Sequence, residues 1–210
     1  MRGVVLKEFY LMKSLGKSYA LICAFFLLMT LTKVYDYSFL SGFVVMLLLT
    51  IPMSTFSFDE AAGWDKFAAA TPVGRKGVVQ GKYLFVLALG GGLLVLNSLM
   101  QVLLFFLGAG QGDTLGEMFW TGVACLGAGL ALNAILLPCI FKLGVQKGRL
   151  ALLLAVAVGT SFFAAGVALV GRGGVPGQLE YALMGLPVLG IVLLAISYFI
   201  SQKLYGSREL

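Results

Sequence analysis

The groups with which this chain could do chemistry are few: nine carboxylates, three cysteines and no histidine in 210 residues. Without histidine, the commonest metal ligand and the commonest general base are both missing. Zinc-protease and Ser-His mechanisms are therefore excluded. Cys23, Cys125 and Cys139 are far apart, lie in apolar runs and show no CxxC spacing. They read as small buried hydrophobes. Asp36, Asp113, Glu117 and Glu180 lie between apolar runs on one side, and Glu8, Asp59, Glu60, Asp65 and Glu209 on the other. No acid sits near the middle of a run. A proton- or sodium-coupled carrier usually needs an ionisable group at membrane depth. An intramembrane carboxylate enzyme would need a pair there. The expectation is a chain with no catalytic residue and no metal ligand, whose work is driven from elsewhere.

The polar groups inside the apolar runs are amides and hydroxyls. Asn97 and Gln101 are four apart and share a helix face. Ser98 lies between them, Asn133 and Pro138 in the next run, and Thr160 and Ser161 in the one after. Two readings stand. Polar groups in hydrocarbon need partners, so these can be interhelical hydrogen bonds. Alternatively Asn97, Gln101 and Asn133 line a substrate route.

The elements that must position these groups are membrane spans. The chain is 60% hydrophobic and 11% charged, with a mean hydropathy of +1.00. A soluble domain carries about 25% charged residues. A spanning helix needs about 20 apolar residues, and six segments qualify: 18–32, 38–56, 82–107, 115–140, 150–170 and 181–201. The first is expected to stay as a span, because no small-residue cleavage pattern follows it. The predicted fold is an all-α integral membrane protein, a single transmembrane domain of six transmembrane helices over 1–210.

Six spans put both termini on one side. That side carries Arg2, Lys7, Lys13 and Lys17, then Lys66, Arg75, Lys76 and Lys82, then Lys142, Lys147 and Arg149, and finally Lys203 and Arg208. The other side has Lys33 and Arg172. The positive-inside rule places the termini and both basic loops in the cytoplasm. It also accounts for the net charge of +6 without nucleic acid. Residues 1–17 place Val5, Phe9 and Met12 on one face and Lys7, Lys13 and Lys17 on much of the other. This predicts an amphipathic helix in the membrane plane, its lysines toward lipid phosphates.

The segment "FSFDEAAGWDKFAAATPVGRKGVVQGKYL" (56–84) interrupts the apolar pattern. Ser57 followed by Glu60 fits a capping box, Asp59 and Glu60 suit a first turn, and Pro72 stops the helix. A short helix is expected at 58–70 within a loop over 57–72. Its Trp64 and Phe67 can anchor in lipid headgroups or plug a groove on a partner.

This segment resembles the cytoplasmic loop of type-2 ABC transporter permeases. The matching elements are Asp59-Glu60, Gly63-Trp64, Thr71-Pro72, Arg75 and Lys82-Tyr83-Leu84, and the six-span layout agrees. The outer loop "GRGGVPGQLE" is too short for the extra domain many such permeases carry. The resemblance implies two copies of a permease, each docked on a cytoplasmic ABC ATPase that binds ATP and Mg. The helix at 58–70 would be the coupling helix, with Phe58, Asp59, Glu60, Trp64, Asp65, Phe67 and Thr71 facing the ATPase. The helix within 1–17 would be the connecting helix, bringing Lys7, Glu8 and Lys13. No GxxxxGK[ST] phosphate loop occurs in this chain, so its ATPase must be a separate polypeptide. The implied setting is a bacterial cell membrane and the implied activity is export; a route that is mostly apolar suits an amphipathic or hydrophobic peptide, toxin or drug. The alternative is a membrane immunity or sensor module that sequesters a ligand without transporting it.

Overall fold

The computed structural model describes residues 2–70, 74–108, 113–151, 153–154, 156–157 and 176–206. The helices that build the bundle are α1 (Arg2–Leu31), α2 (Tyr37–Ala61), α3 (Trp64–Ala70), α4 (Gly74–Phe106), α5 (Leu115–Leu143) and α6 (Pro176–Gly206). The chain is also helical at 145–151. Among the described residues, α1, α2, α4, α5 and the Gly185–Gly206 part of α6 are long and apolar enough to cross a membrane. Most of the span expected at 150–170, with Thr160 and Ser161, lies outside the described residues.

Two boundaries differ from those expected. No break separates residues 2–17 from the first span: α1 is one rod of 30 residues, about 45 Å at 1.5 Å per residue. Nothing at 14–18 stops a helix, and the rod has a neighbour along its length. Val4 abuts Gly81, Phe9 meets the Phe85 ring edge-on at 5.3 Å, and Cys23 packs in the same core cluster as Phe85 and Leu89. The short helix also starts later than 58. The run of α2 continues through Ser57, Phe58, Asp59 and Glu60 to Ala61. Ser57 Oγ donates back to the Met53 carbonyl at 3.0 Å, so it caps nothing. The stop is Gly63, in the left-handed region at φ 64°, where glycine carries no side-chain penalty. A capping box does exist at the start of α5, where Thr114 and Glu117 satisfy each other's backbone N–H groups.

Contacts put the start of α1, the end of α2, the start of α4 and the ends of α5 and α6 together at one end of the bundle. Phe56, Phe141 and Tyr205 pack ring to ring there, and Arg75 reaches the Gly206 carbonyl at 2.8 Å. At the other end, the Tyr37 hydroxyl donates to Asp113 at 2.6 Å.

Two prolines explain two interhelical bonds. Pro52 has no N–H, so the Leu48 carbonyl of α2 loses its intrahelical donor. Asn133 Nδ2 of α5 donates to that carbonyl at 3.1 Å. Pro138 of α5 likewise frees the Ala134 carbonyl, which Ser197 Oγ of α6 meets at 2.6 Å. Tyr83 of α4 lies 2.6 Å from Ser197 and 2.8 Å from Ser201. With the Ser197 proton on Ala134, the Tyr83 hydroxyl donates to Ser197 and accepts from Ser201. Asn133→Leu is expected to cost about 1–3 kcal/mol by orphaning a buried carbonyl. Adding Pro52→Ala should recover most of it, because the backbone then supplies its own donor. Unfolding of both variants in detergent checks this, and an unrelieved double variant would contradict it.

Candidate functional site

At the end of the bundle where α1 begins, a charged ring ties three helices. Glu8 of α1 and Lys82 of α4 are fully buried there, and Asp59 of α2 nearly so. The four contacts alternate in sign. Lys7 Nζ lies 2.5 Å from Asp59 Oδ1 and 3.2 Å from Glu8 Oε1; Lys82 Nζ lies 2.7 Å from Asp59 Oδ2 and 2.8 Å from Glu8 Oε2. Lys82 also donates to Thr55 Oγ1 at 3.2 Å. Glu8 Oε1 and Asp59 Oδ2 receive no well-aligned hydrogen bond, so their contacts are ion pairs by proximity. Each ammonium is also capped by a ring: Lys7 sits 4.2 Å from the centroid of Trp64, and Lys82 4.2 Å from that of Phe56. Such cation–π contacts strengthen when water is excluded.

An acid near the end of a helix opposes the helix dipole. The ring compensates that cost for Asp59. Glu60 is compensated differently: its Oε2 accepts the Val145 N–H at 3.2 Å, capping the helical segment that follows Gly144 from outside. Gly144 adopts φ 81°, the left-handed conformation this turn requires.

On this base stands α3, seven residues long. Ala68 is buried and Trp64 packs with the core cluster of α2, α4 and α5. Trp64 and Phe67 lie tilted at 5.4 Å, and Phe67 keeps 61% of its surface exposed. A helix this short is not stable alone in water, so its pose is set by what it packs on.

The model of the ABC-2 family transporter proteins matches residues 3–206. The chain belongs to this family. It is a multi-pass membrane protein and the membrane component of an ABC transporter. No curated protein and no solved structure matches it.

In this ABC-2 family protein the residues singled out from sequence fall into three groups. Phe58, Glu60, Phe67 and Lys13 are exposed, and Trp64 is half-buried; Asp65 lies in α3 and Thr71 outside the described residues. Glu8 and Asp59 are buried in the ring, with Lys7 at its edge, so their carboxylates are engaged within the chain. Asn97, Gln101 and Asn133 are buried between helices. Gln101 Nε2 donates to Ser41 Oγ at 3.1 Å, and Ser41 contacts Asn97 Oδ1 at 3.4 Å. Gly122 of α5 leaves the space these two amides occupy, since a Cβ there would meet Asn97 Nδ2 and Gln101 Nε2.

Sequence reasoning counted Lys82 among the basic residues of the cytoplasmic side and missed the ring. Its partners lie 74 and 23 positions away, so spacing gave no hint. The detectable signal was an acid beside Lys7 on the face that otherwise carried apolar residues.

Proposed function

We propose that the chain is the permease subunit of an ABC exporter, moving an amphipathic or hydrophobic substrate such as a peptide, toxin or drug out of a bacterial cell. In this reading the ring end faces the cytoplasm, as the positive-inside rule expects. A separate ABC ATPase, holding ATP and magnesium, receives α3 as the coupling helix and lies near the start of α1. Two copies of the chain enclose the pathway. Closure of the ATPase pair on ATP moves α3, and the spans rearrange in alternating access.

The observation that carries this reading is Phe67: a large aromatic left 61% exposed on a helix whose other side is locked to the bundle. Fully desolvated aromatics dominate binding energies at protein interfaces. The apolar character of the substrate is supported by the span polar groups. Asn97, Gln101 and Asn133 are engaged between helices, which leaves mainly apolar faces for cargo.

The test is co-expression with an ATPase encoded beside this chain, then reconstitution in liposomes. The parent is expected to co-purify with the ATPase and to raise its ATP hydrolysis when substrate is present. Phe67→Asp should abolish co-purification and transport while leaving expression and unfolding temperature unchanged, because the residue supports no core. Transport at the parental rate by Phe67→Asp would overturn the reading.

A further inference from the structure

The Lys7 ammonium meets two carboxylates and an indole. Asp59 and Glu8 hold it from α2 and α1, and Trp64 of α3 covers it at 4.2 Å. Lys82, deeper in the bundle, repeats the pattern with the same two acids and Phe56. The two sites differ in what the ring belongs to. Phe56 is part of α2, whereas Trp64 opens α3, which follows a glycine turn and has seven residues. Trp64 also packs on the core cluster, and an ammonium held by two ion pairs adds a fixed polar mount to that packing.

The geometry points to Lys7 as the positioning residue of α3: it sets the pose of Trp64, and so the angle at which Phe67 is presented, and it links α3 mechanically to α1. The consequence for transport rests on the reading of α3 as the ATPase contact; the positioning itself does not. A push on α3 then reaches α1 through Lys7 and reaches α4 through Asp59 and Lys82. The element sensing the ATPase is a three-helix unit locked by charge, and α3 does not act alone.

The experiment uses the full chain in liposomes with Trp120→Phe, which leaves Trp64 as the sole tryptophan. Quenching of its fluorescence by acrylamide reports how firmly the indole is held. Lys7→Met removes the charge and keeps most of the stem; Lys7→Met with Glu8→Gln also removes the acid it would orphan, and Asp59 still pairs with Lys82. Both are expected to raise the quenching constant severalfold, Lys7→Arg to stay near the parent, and Lys17→Met, an exposed lysine on the same helix, to leave it unchanged. With the ATPase present, the double variant should keep the ATPase bound and lose most of the substrate-driven stimulation. Unchanged quenching in the double variant would overturn the positioning role, even if Phe67→Asp still uncouples transport. Raised quenching with parental transport in both the double variant and Phe67→Asp would uphold the role of Lys7 and overturn the docking reading instead.

Discussion

The Lys82→Met variant is expected to unfold about 3–5 kcal/mol more easily than the parent, the usual cost of removing one partner from a buried ion pair. Lys82 is fully buried and holds Glu8, Asp59 and Thr55 together. Methionine fills most of the space, so the loss is electrostatic: two buried carboxylates are left with Lys7 alone. This attribution has its own check. Adding Glu8→Gln to Lys82→Met leaves one acid and one base, Asp59 and Lys7, and should restore at least half the stability. Chemical unfolding in detergent measures both variants. A loss under about 1 kcal/mol, the scale of an exposed pair, would show that the ring is solvated. A double variant no better than the single would show that packing was the cause.

Gly127→Leu is the second large effect, at about 3 kcal/mol, the upper part of the range for overpacking. Even a Cβ at Gly127 would lie 2.5 Å from the Pro187 nitrogen and 2.6 Å from the Leu186 carbonyl carbon. These are backbone atoms, so no rotamer change relieves the clash. Gly190 of α6 faces the Gly127 carbonyl in the same contact. Small residues permit this close approach of α5 and α6, as is usual between membrane helices. Gly91→Leu is the control, since a Cβ there meets nothing within 4 Å, and it should be nearly neutral. Equal melting temperatures for the two variants would contradict the contact.

Much of the fold was legible because hydrocarbon imposes a length. The apolar runs at 38–56 and 115–140 lie within α2 and α5, which extend beyond them, and the run at 82–107 outlasts α4 by one residue while α4 begins eight residues before it. Composition marks the hydrocarbon and does not mark where a helix stops. That is why α1 showed no boundary at 17 and why α2 carried Asp59 and Glu60 beyond the run. The Ser57–Glu60 spacing fits a capping box, yet the helix already under way overrides it, and Gly63 is the true breaker. In the candidate site, Trp64 and Phe67 were readable as aromatics out of place in a charged stretch. The ring was not readable. Lys7, Glu8 and Asp59 were read as facing lipid phosphates or the ATPase and Lys82 as one of the cytoplasmic-side charges, and only the packing of three helices brings them into alternation. Asn133 is a middle case. Pro52 announces a free carbonyl, but which helix supplies its donor is a fact of tertiary structure.

The central claim is that a partner ATPase grips α3, and site-directed cross-linking tests it most directly. Phe67→Cys, in a background with Cys23, Cys125 and Cys139 replaced, is paired with single cysteines in the groove of the co-expressed ATPase, without nucleotide and with ATP bound. The account predicts a disulfide-linked heterodimer whose yield changes between the two states. A position 67 thiol that reacts with a headgroup-anchored lipid probe, and cross-links to no ATPase position in either state, would contradict it.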